Sequence, residues 1–246
     1  MASSRYDILL CFETLVSDMR QVSELLVPVF GRPVLLCRCR IARARGMAAY
    51  VRDGYGAFRQ PKFECGSCEM LVFRVCGARQ NLYVFSLYRN PDLDDRSFDC
   101  LITSLAAVQA EDVRASFLFW GYLIGHHQEW LGSTTTNCHG VAAFDLATVS
   151  CCDQLIVGPT HARGGTLNLL MPDIPDLVWV SVVVPIGNSD QSSLSAIISM
   201  AQAVPNLCVH IKVFLKTFVH IKVGKFSINI KLIGIQFVVQ CLSALA

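Results

Sequence analysis

The sequence predicts an α+β fold, in which a mixed sheet or two stacked sheets are covered by helices. Three observations carry this expectation. Short apolar runs of strand length alternate with stretches of helical spacing along the chain. Some of these runs are separated by links of hairpin length. And 246 residues, 53% hydrophobic and only 16% charged, suffice to bury a large core in one domain of α/β size.

In chain order, Tyr6 to Phe12 reads as a buried strand ended by Glu13-Thr14. Ser17 to Val27 has helical spacing through Met19, Val22, Leu25 and Leu26, with Ser17 or Asp18 as its cap. Pro33 to Cys37 and Met47 to Val51 are short strands, the second closed by the turn Arg52-Asp53-Gly54. The polar residues 54 to 68 read as a loop. Glu69 to Cys76 and Leu82 to Leu87 form a hairpin across Gly77-Ala78-Arg79. Asn90-Pro91 breaks the strand, and Asp94 or Asp95 starts a helix that runs to about Ala110. Ser116 to Trp120 is a strongly apolar strand. Gly121 to Trp130 follows as a loop with two adjacent histidines, His126 and His127, expected in solvent. Val141 to Val149 suits a short helix. Gln154 to Val157, Thr166 to Met171, Leu177 to Val184 and Ser193 to Ser199 are strands, with Pro185 to Asp190 a loop.

The character changes near residue 207, so a domain over residues 1–206 and a tail over 207–246 are expected. Val209-His210-Ile211-Lys212-Val213 recurs as Val219-His220-Ile221-Lys222-Val223, and the apolar–basic alternation suits strands. Two copies do not make a solenoid. Leu232 to Ala246 is too short to span a bilayer comfortably. The tail reads either as an extra hairpin plus helix or as a segment without settled structure.

Composition narrows the function. The apolar content argues against disorder over most of the chain. A net charge of +2 does not announce a nucleic-acid binder, although a local basic stripe remains compatible with one. Arg38, Arg40, Arg43 and Arg45 form one basic cluster, either a phosphate-contacting stripe or a solvated loop. Lys212, Lys216, Lys222, Lys225 and Lys231 form another, which suits a membrane, a nucleic acid or the defence of an edge strand. No signal peptide opens the chain, since Asp7 and Glu13 interrupt the apolar run there. An intracellular setting, nuclear or cytoplasmic, with reduced thiols is therefore expected for the twelve cysteines. Cys65-x-x-Cys68 is half of a zinc site, and Cys76, His126, His127, Cys138 and His139 do not supply a second clean pair. Cys11, Cys100 and Cys208 read as small core apolars.

An ordered set of strand-end segments resembles the endonuclease domain of LINE-type non-LTR retrotransposons, in the exonuclease–endonuclease–phosphatase superfamily. The segments are Tyr6 to Thr14, Ala49 to Arg52, Ser86 to Pro91, Phe119 to Ile124, Pro159 to His161, Gly165 to Leu170 and Ser189 to Ser192. Together they cover roughly residues 5 to 200. The resemblance implies a four-layer αββα sandwich with the site at one end of its two sheets. It also implies metal-dependent phosphodiester hydrolysis, with Mg²⁺ or Mn²⁺ as cofactor and DNA as partner, and neither a membrane nor a small-molecule cofactor. The family's first strand, which carries an Asn, precedes the Tyr6 strand, and the sheet is expected to lack it.

By this resemblance Glu13 and Asp190 correspond to metal-binding carboxylates and Tyr88 to a phosphate-contacting phenol. The remaining catalytic positions are substituted. Tyr122 stands where the catalytic Asp belongs, and a phenol with a pKa of about 10 is a poor proton acceptor at neutral pH. Ile124 replaces an Asn and cannot hydrogen-bond. Gln191 replaces a His and carries no charge. Asn168 replaces the Asp that orients that His. Loss of one preorganised group of this kind typically costs about 10²–10³-fold in rate, so hydrolysis is expected to be lost or very weak. A non-catalytic phosphate-binding module, or a remnant with no selected function, remains an alternative. Taken without the resemblance, Glu13 is a carboxylate at a strand end, Asp190 a turn residue and Tyr88 a core aromatic.

Overall fold

The computed structural model describes residues 8–12, 47–51, 56–66, 68–77, 80–89, 97–183, 191–199, 208–215, 218–223 and 226–231. Within these residues the chain builds two five-stranded sheets and a separate hairpin. One sheet is ordered β2 (Met47–Val51), β1 (Ile8–Phe12), β10 (Cys208–Leu215), β9 (Ser193–Ser199), β8 (Val178–Val183). The other is ordered β3 (Ala57–Arg59), β4 (Glu69–Val75), β5 (Leu82–Tyr88), β6 (Ser116–Tyr122), β7 (Asn168–Pro172). Both are mixed, with β1–β10 and β5–β6 as parallel pairs. A parallel pair needs a crossover, and α1 (Ser97–Glu111) supplies it between β5 and β6.

Strand periodicity explains the layers. Side chains alternate between faces, so a strand covered on both sides is apolar throughout. In the second sheet, Leu71, Phe73, Leu82, Val84, Leu118, Trp120 and Leu170 turn inward. They meet Ile8, Leu10, Met47, Ala49, Leu194, Ala196 and Ile198 of the first sheet. The intervening residues Val72, Phe85, Leu87, Phe117, Phe119 and Leu169 turn outward against helices. From α1 they receive Phe98, Leu101, Leu105 and Val108, one stripe at helical spacing. From α3 (Cys138–Val149) they receive Ala143, Leu146 and Ala147. The result is an α/β sandwich of sheet, sheet and helices, in accord with the expected fold class. By contrast β8 buries Val178 and exposes Trp179 and Val182, as suits a strand at the edge of its sheet.

The tail enters this architecture directly. β10 is the central strand of the first sheet, parallel to β1 and antiparallel to β9. The second copy of the repeat is β11 (Phe218–Val223), which pairs with β12 (Phe226–Lys231) in its own hairpin.

Several expectations need correction. The stretch 54–68 is not all loop. It holds β3 and a 3-10 turn over Pro61–Phe63, pinned by buried Phe63 and a bidentate Arg59–Glu64 pair at 2.9 and 2.7 Å. Gln154 to Val157 forms no strand, because the Gln154 side chain accepts the Leu170 N–H at 2.9 Å and interrupts the ladder. β6 continues through Gly121 and Tyr122 instead of stopping at Trp120. His127 is half-buried and caps the one-turn α2 (Gln128–Leu131), accepting from Trp130 N at 3.2 Å, so it is not a free loop histidine. Cys100 is no isolated core apolar, since it is joined to Cys65 in a disulfide. The expected helix over Ser17 to Val27, the strand Pro33 to Cys37, the loop Pro185 to Asp190 and the segment Leu232 to Ala246 lie outside the described residues. No described helix is long and apolar enough to cross a membrane.

Candidate functional site

The ends of β5, β6 and β7 place three of the expected positions abreast. Tyr88 is the register partner of Tyr122, and Tyr122 of Asn168. The three side chains therefore leave the same edge of the sheet on its inner face. Tyr88 and Tyr122 stack with ring centroids 5.5 Å apart and an interplanar angle of 10°. Both are buried, as is Asn168. The Asn168 side-chain nitrogen finds no hydrogen-bond partner among the described residues.

Gln191 is brought to this end by a second connection. Thr160, completely buried, accepts from the backbone nitrogens of Leu167 at 2.9 Å and Asn168 at 3.2 Å through its hydroxyl. Its carbonyl accepts from Ser192 N at 2.9 Å, and its neighbour His161 forms a β-bridge with Gln191. So the 160–161 segment staples the start of β9 to the start of β7. Register places the first sheet's contribution at the same end. Leu10 pairs with Val213, and Val213 with Leu194, so the C-terminal end of β1 and the N-terminal end of β9 share one edge. Glu13 follows the first of these strand ends and Asp190 precedes the second; both residues lie outside the described ones.

The turn after β6 has its own constraints. Gly121 faces the β5 backbone, and a Cβ there would overlap the Leu87 carbonyl oxygen. Gly140, in the first turn of α3, lies against the His126 carbonyl oxygen just as closely. Asn137 caps α3 by accepting from Gly140 N at 2.8 Å, and it also accepts from His126 N at 3.0 Å. These contacts fold the 123–127 turn onto the helix. Ile124 is left with φ of +50°, in the left-handed region that β-branched residues avoid and Asn tolerates.

One step beyond Tyr88, the buried Arg89 donates to His139 Nε2 at 2.6 Å, since a guanidinium has no acceptor. Sequence reasoning missed this pair, which joins residues fifty positions apart, and it missed the staple made by Thr160. No local pattern announces either. The described row offers phenols and amides, and this donor set does not fit magnesium, which takes hard oxygen ligands, mostly carboxylate and water. No hydrolytic step follows from it.

No protein-family model and no curated protein sequence matches the chain. Solved structures do. The chain is similar to the endonuclease domain of TRAS1, a telomere-specific non-LTR retrotransposon, with a TM-score of 0.58 at 13% identity, covering 80% of this chain and 100% of that one. It is also similar to the human Nocturnin catalytic domain, with a TM-score of 0.47 at 11% identity, covering 76% and 72%. The likeness to the TRAS1 endonuclease domain shows a shared fold.

Proposed function

We propose that this chain is a phosphodiesterase-fold domain of the retrotransposon-endonuclease type whose hydrolytic chemistry is lost. One observation carries the reading. The end of β6, where the resemblance puts an Asp and an Asn, holds Tyr122 stacked flat on Tyr88 and Ile124 in a backbone conformation that suits Asn. A phenol at that place does not accept a proton from water at neutral pH. An isoleucine at φ of +50° is what remains when the backbone outlasts the side chain that fitted it. Gln191 and Asn168 lie at the same end and complete the set of substituted positions.

DNA as the ancestral partner, and an intracellular, nuclear or cytoplasmic setting, belong to this reading. So does a metal platform at Glu13 and Asp190. The test is plasmid nicking with Mg²⁺ or Mn²⁺. The purified chain is compared with a quadruple variant carrying Tyr122→Asp, Ile124→Asn, Asn168→Asp and Gln191→His. The expected result is nicking by the variant alone, abolished by adding Glu13→Ala. Nicking by the natural chain that Glu13→Ala stops would overturn the loss of activity.

A second reading has a specific observation in its favour. Arg89 stands buried beside Tyr88 and keeps a cation at the site end after the acid–base positions have changed. On this reading the domain binds phosphodiesters without cutting them. Binding to single- or double-stranded DNA would then be strongest at low salt and weakened by Arg89→Gln. No binding at low salt removes it.

A further inference from the structure

Cys65 and Cys68, in the link between the 3-10 turn and β4, converge with Cys100 of α1. Cys65 follows the 3-10 turn, Cys68 immediately precedes β4, and Cys100 stands in the first turn of α1. Their sulfurs all lie within 4.8 Å of one another, and no other such group occurs among the described residues. Sulfurs around a tetrahedral ion with bonds of about 2.3 Å sit about 3.8 Å apart, so the cluster needs only a small adjustment to share one ion.

The scaffold holds these sulfurs independently of any bond between them. Arg59 clamps Glu64, and Glu64 also accepts from Val72 N at 3.2 Å, which fixes the turn to β4. Lys62 pairs with Glu111 at the far end of α1, tying the same turn to the helix. Cys65 and Cys68 pack against the helical core, and Cys100 is buried within reach of both. The first turn of a helix favours an anion, which suits a thiolate at Cys100.

We propose that, in the reduced chain, Cys65, Cys68 and Cys100 form a three-thiolate site for a soft, closed-shell cation of the Zn²⁺ or Cu⁺ kind. Thiolates select such ions over magnesium. Zn²⁺ takes a fourth ligand from solvent, whereas Cu⁺ is satisfied by three sulfurs. The ion and the Cys65–Cys100 disulfide use the same sulfurs, so each excludes the other. The site stands on the helical side of the second sheet and is independent of the proposed phosphodiesterase reading.

The test uses the full chain, reduced and freed of reductant without air. Co²⁺ as a stand-in for Zn²⁺ is expected to give a thiolate-to-metal charge-transfer band at one equivalent. Zn²⁺ should displace it, Cys100→Ser should abolish it, and Cys138→Ser should leave it intact. Alkylation of the wild-type chain provides a readout that needs no variant to fold. Zn²⁺ or Cu⁺ should shield the half-buried Cys65 and Cys68, which label in its absence. The exposed Cys138 and Cys151 should label with or without metal. Cys152, whose thiol burial pushes up to about 12, should label in neither condition. Shielding by Zn²⁺ assigns a zinc-type site, and shielding by Cu⁺ alone a copper-type site. Absence of shielding by both ions, or shielding of other cysteines in place of these two, overturns the proposal.

Discussion

Gly121 and Ile124 stand three residues apart and follow opposite rules. Gly121 lies inside β6, where a Cβ would overlap the β5 backbone, and glycine is what that spacing demands. Ile124 lies in the turn just beyond, at φ of +50°, where the backbone demands Asn or Gly and the chain supplies a β-branched side chain. The same division runs through the molecule. Both faces of β4 to β7 are packed, while the row at their end carries the phenols of Tyr88 and Tyr122 and the amide of Asn168. Packing tolerates little change because each side chain has many neighbours. On the proposed reading the difference has a simple cause: a catalytic group contributes to rate and little to stability, so a fold does not resist its replacement.

The largest test of this division is truncation. If the interior is what the chain preserves, β10 belongs to it, because β10 separates β1 from β9 in the first sheet. Ending the chain after residue 206 is expected to abolish cooperative unfolding, measured by denaturant titration and circular dichroism. A shortened chain that unfolds as sharply as the whole would place the tail outside the interior and break the comparison. Next in size is Gly121→Ala, expected to destabilise by about 3 kcal/mol or more, since the clash is with backbone that cannot rotate away. A shift of the denaturation midpoint corresponding to less than about 1 kcal/mol would show that β5 and β6 yield easily.

How much of this was legible depends on range. β2 and β9 match their expected bounds, and β4, β5 and α3 match to within a few residues, because period and apolar content are local properties. The residues Tyr88, Tyr122 and Asn168 were reachable only through the family resemblance, and that they stand abreast is a matter of strand register. The staple by Thr160, the Arg89–His139 pair and the convergence of Cys100 on Cys65 and Cys68 were not legible. They join residues distant in sequence through side chains, and no periodicity encodes that. The irregular path of Gln154 to Val157 escaped for a related reason, since a side-chain oxygen took the place of a backbone carbonyl.

A pH test probes the opposite end of β6 and β7. Burial raises the Asp173 carboxyl from 3.8 to about 6, against the hydrogen bond it accepts from Phe117 N at 2.8 Å. The folded chain therefore holds this proton more tightly than the unfolded chain. Its stabilising contribution is present in full below the unfolded value and is lost as pH rises through about 6. Denaturation midpoints should fall over that window in the wild type and fall less in Asp173→Asn, which keeps an acceptor for Phe117 N. Equal slopes would mean that the carboxyl is well solvated.

The smallest effect is the most informative about the site. Ile124 packs its side chain against the inter-sheet core, so removing it sacrifices apolar contact. A left-handed backbone costs a side-chain-bearing residue about 1–2 kcal/mol, and Asn relieves part of this by local hydrogen bonding. The two terms nearly offset, and Ile124→Asn is expected to lie within about 1 kcal/mol of the natural chain, unlike an ordinary Ile-to-Asn change at a core edge. Ile124→Val separates the terms, because valine keeps the branch and the strain while losing a methylene. If Asn proves at least as stable as Val in urea titrations, the backbone of this turn is shaped for a polar residue, as the proposed reading requires. If Asn is worse than Val by several kcal/mol, the contact of Ile124 with the core outweighs its strain, and the turn has been repacked around isoleucine.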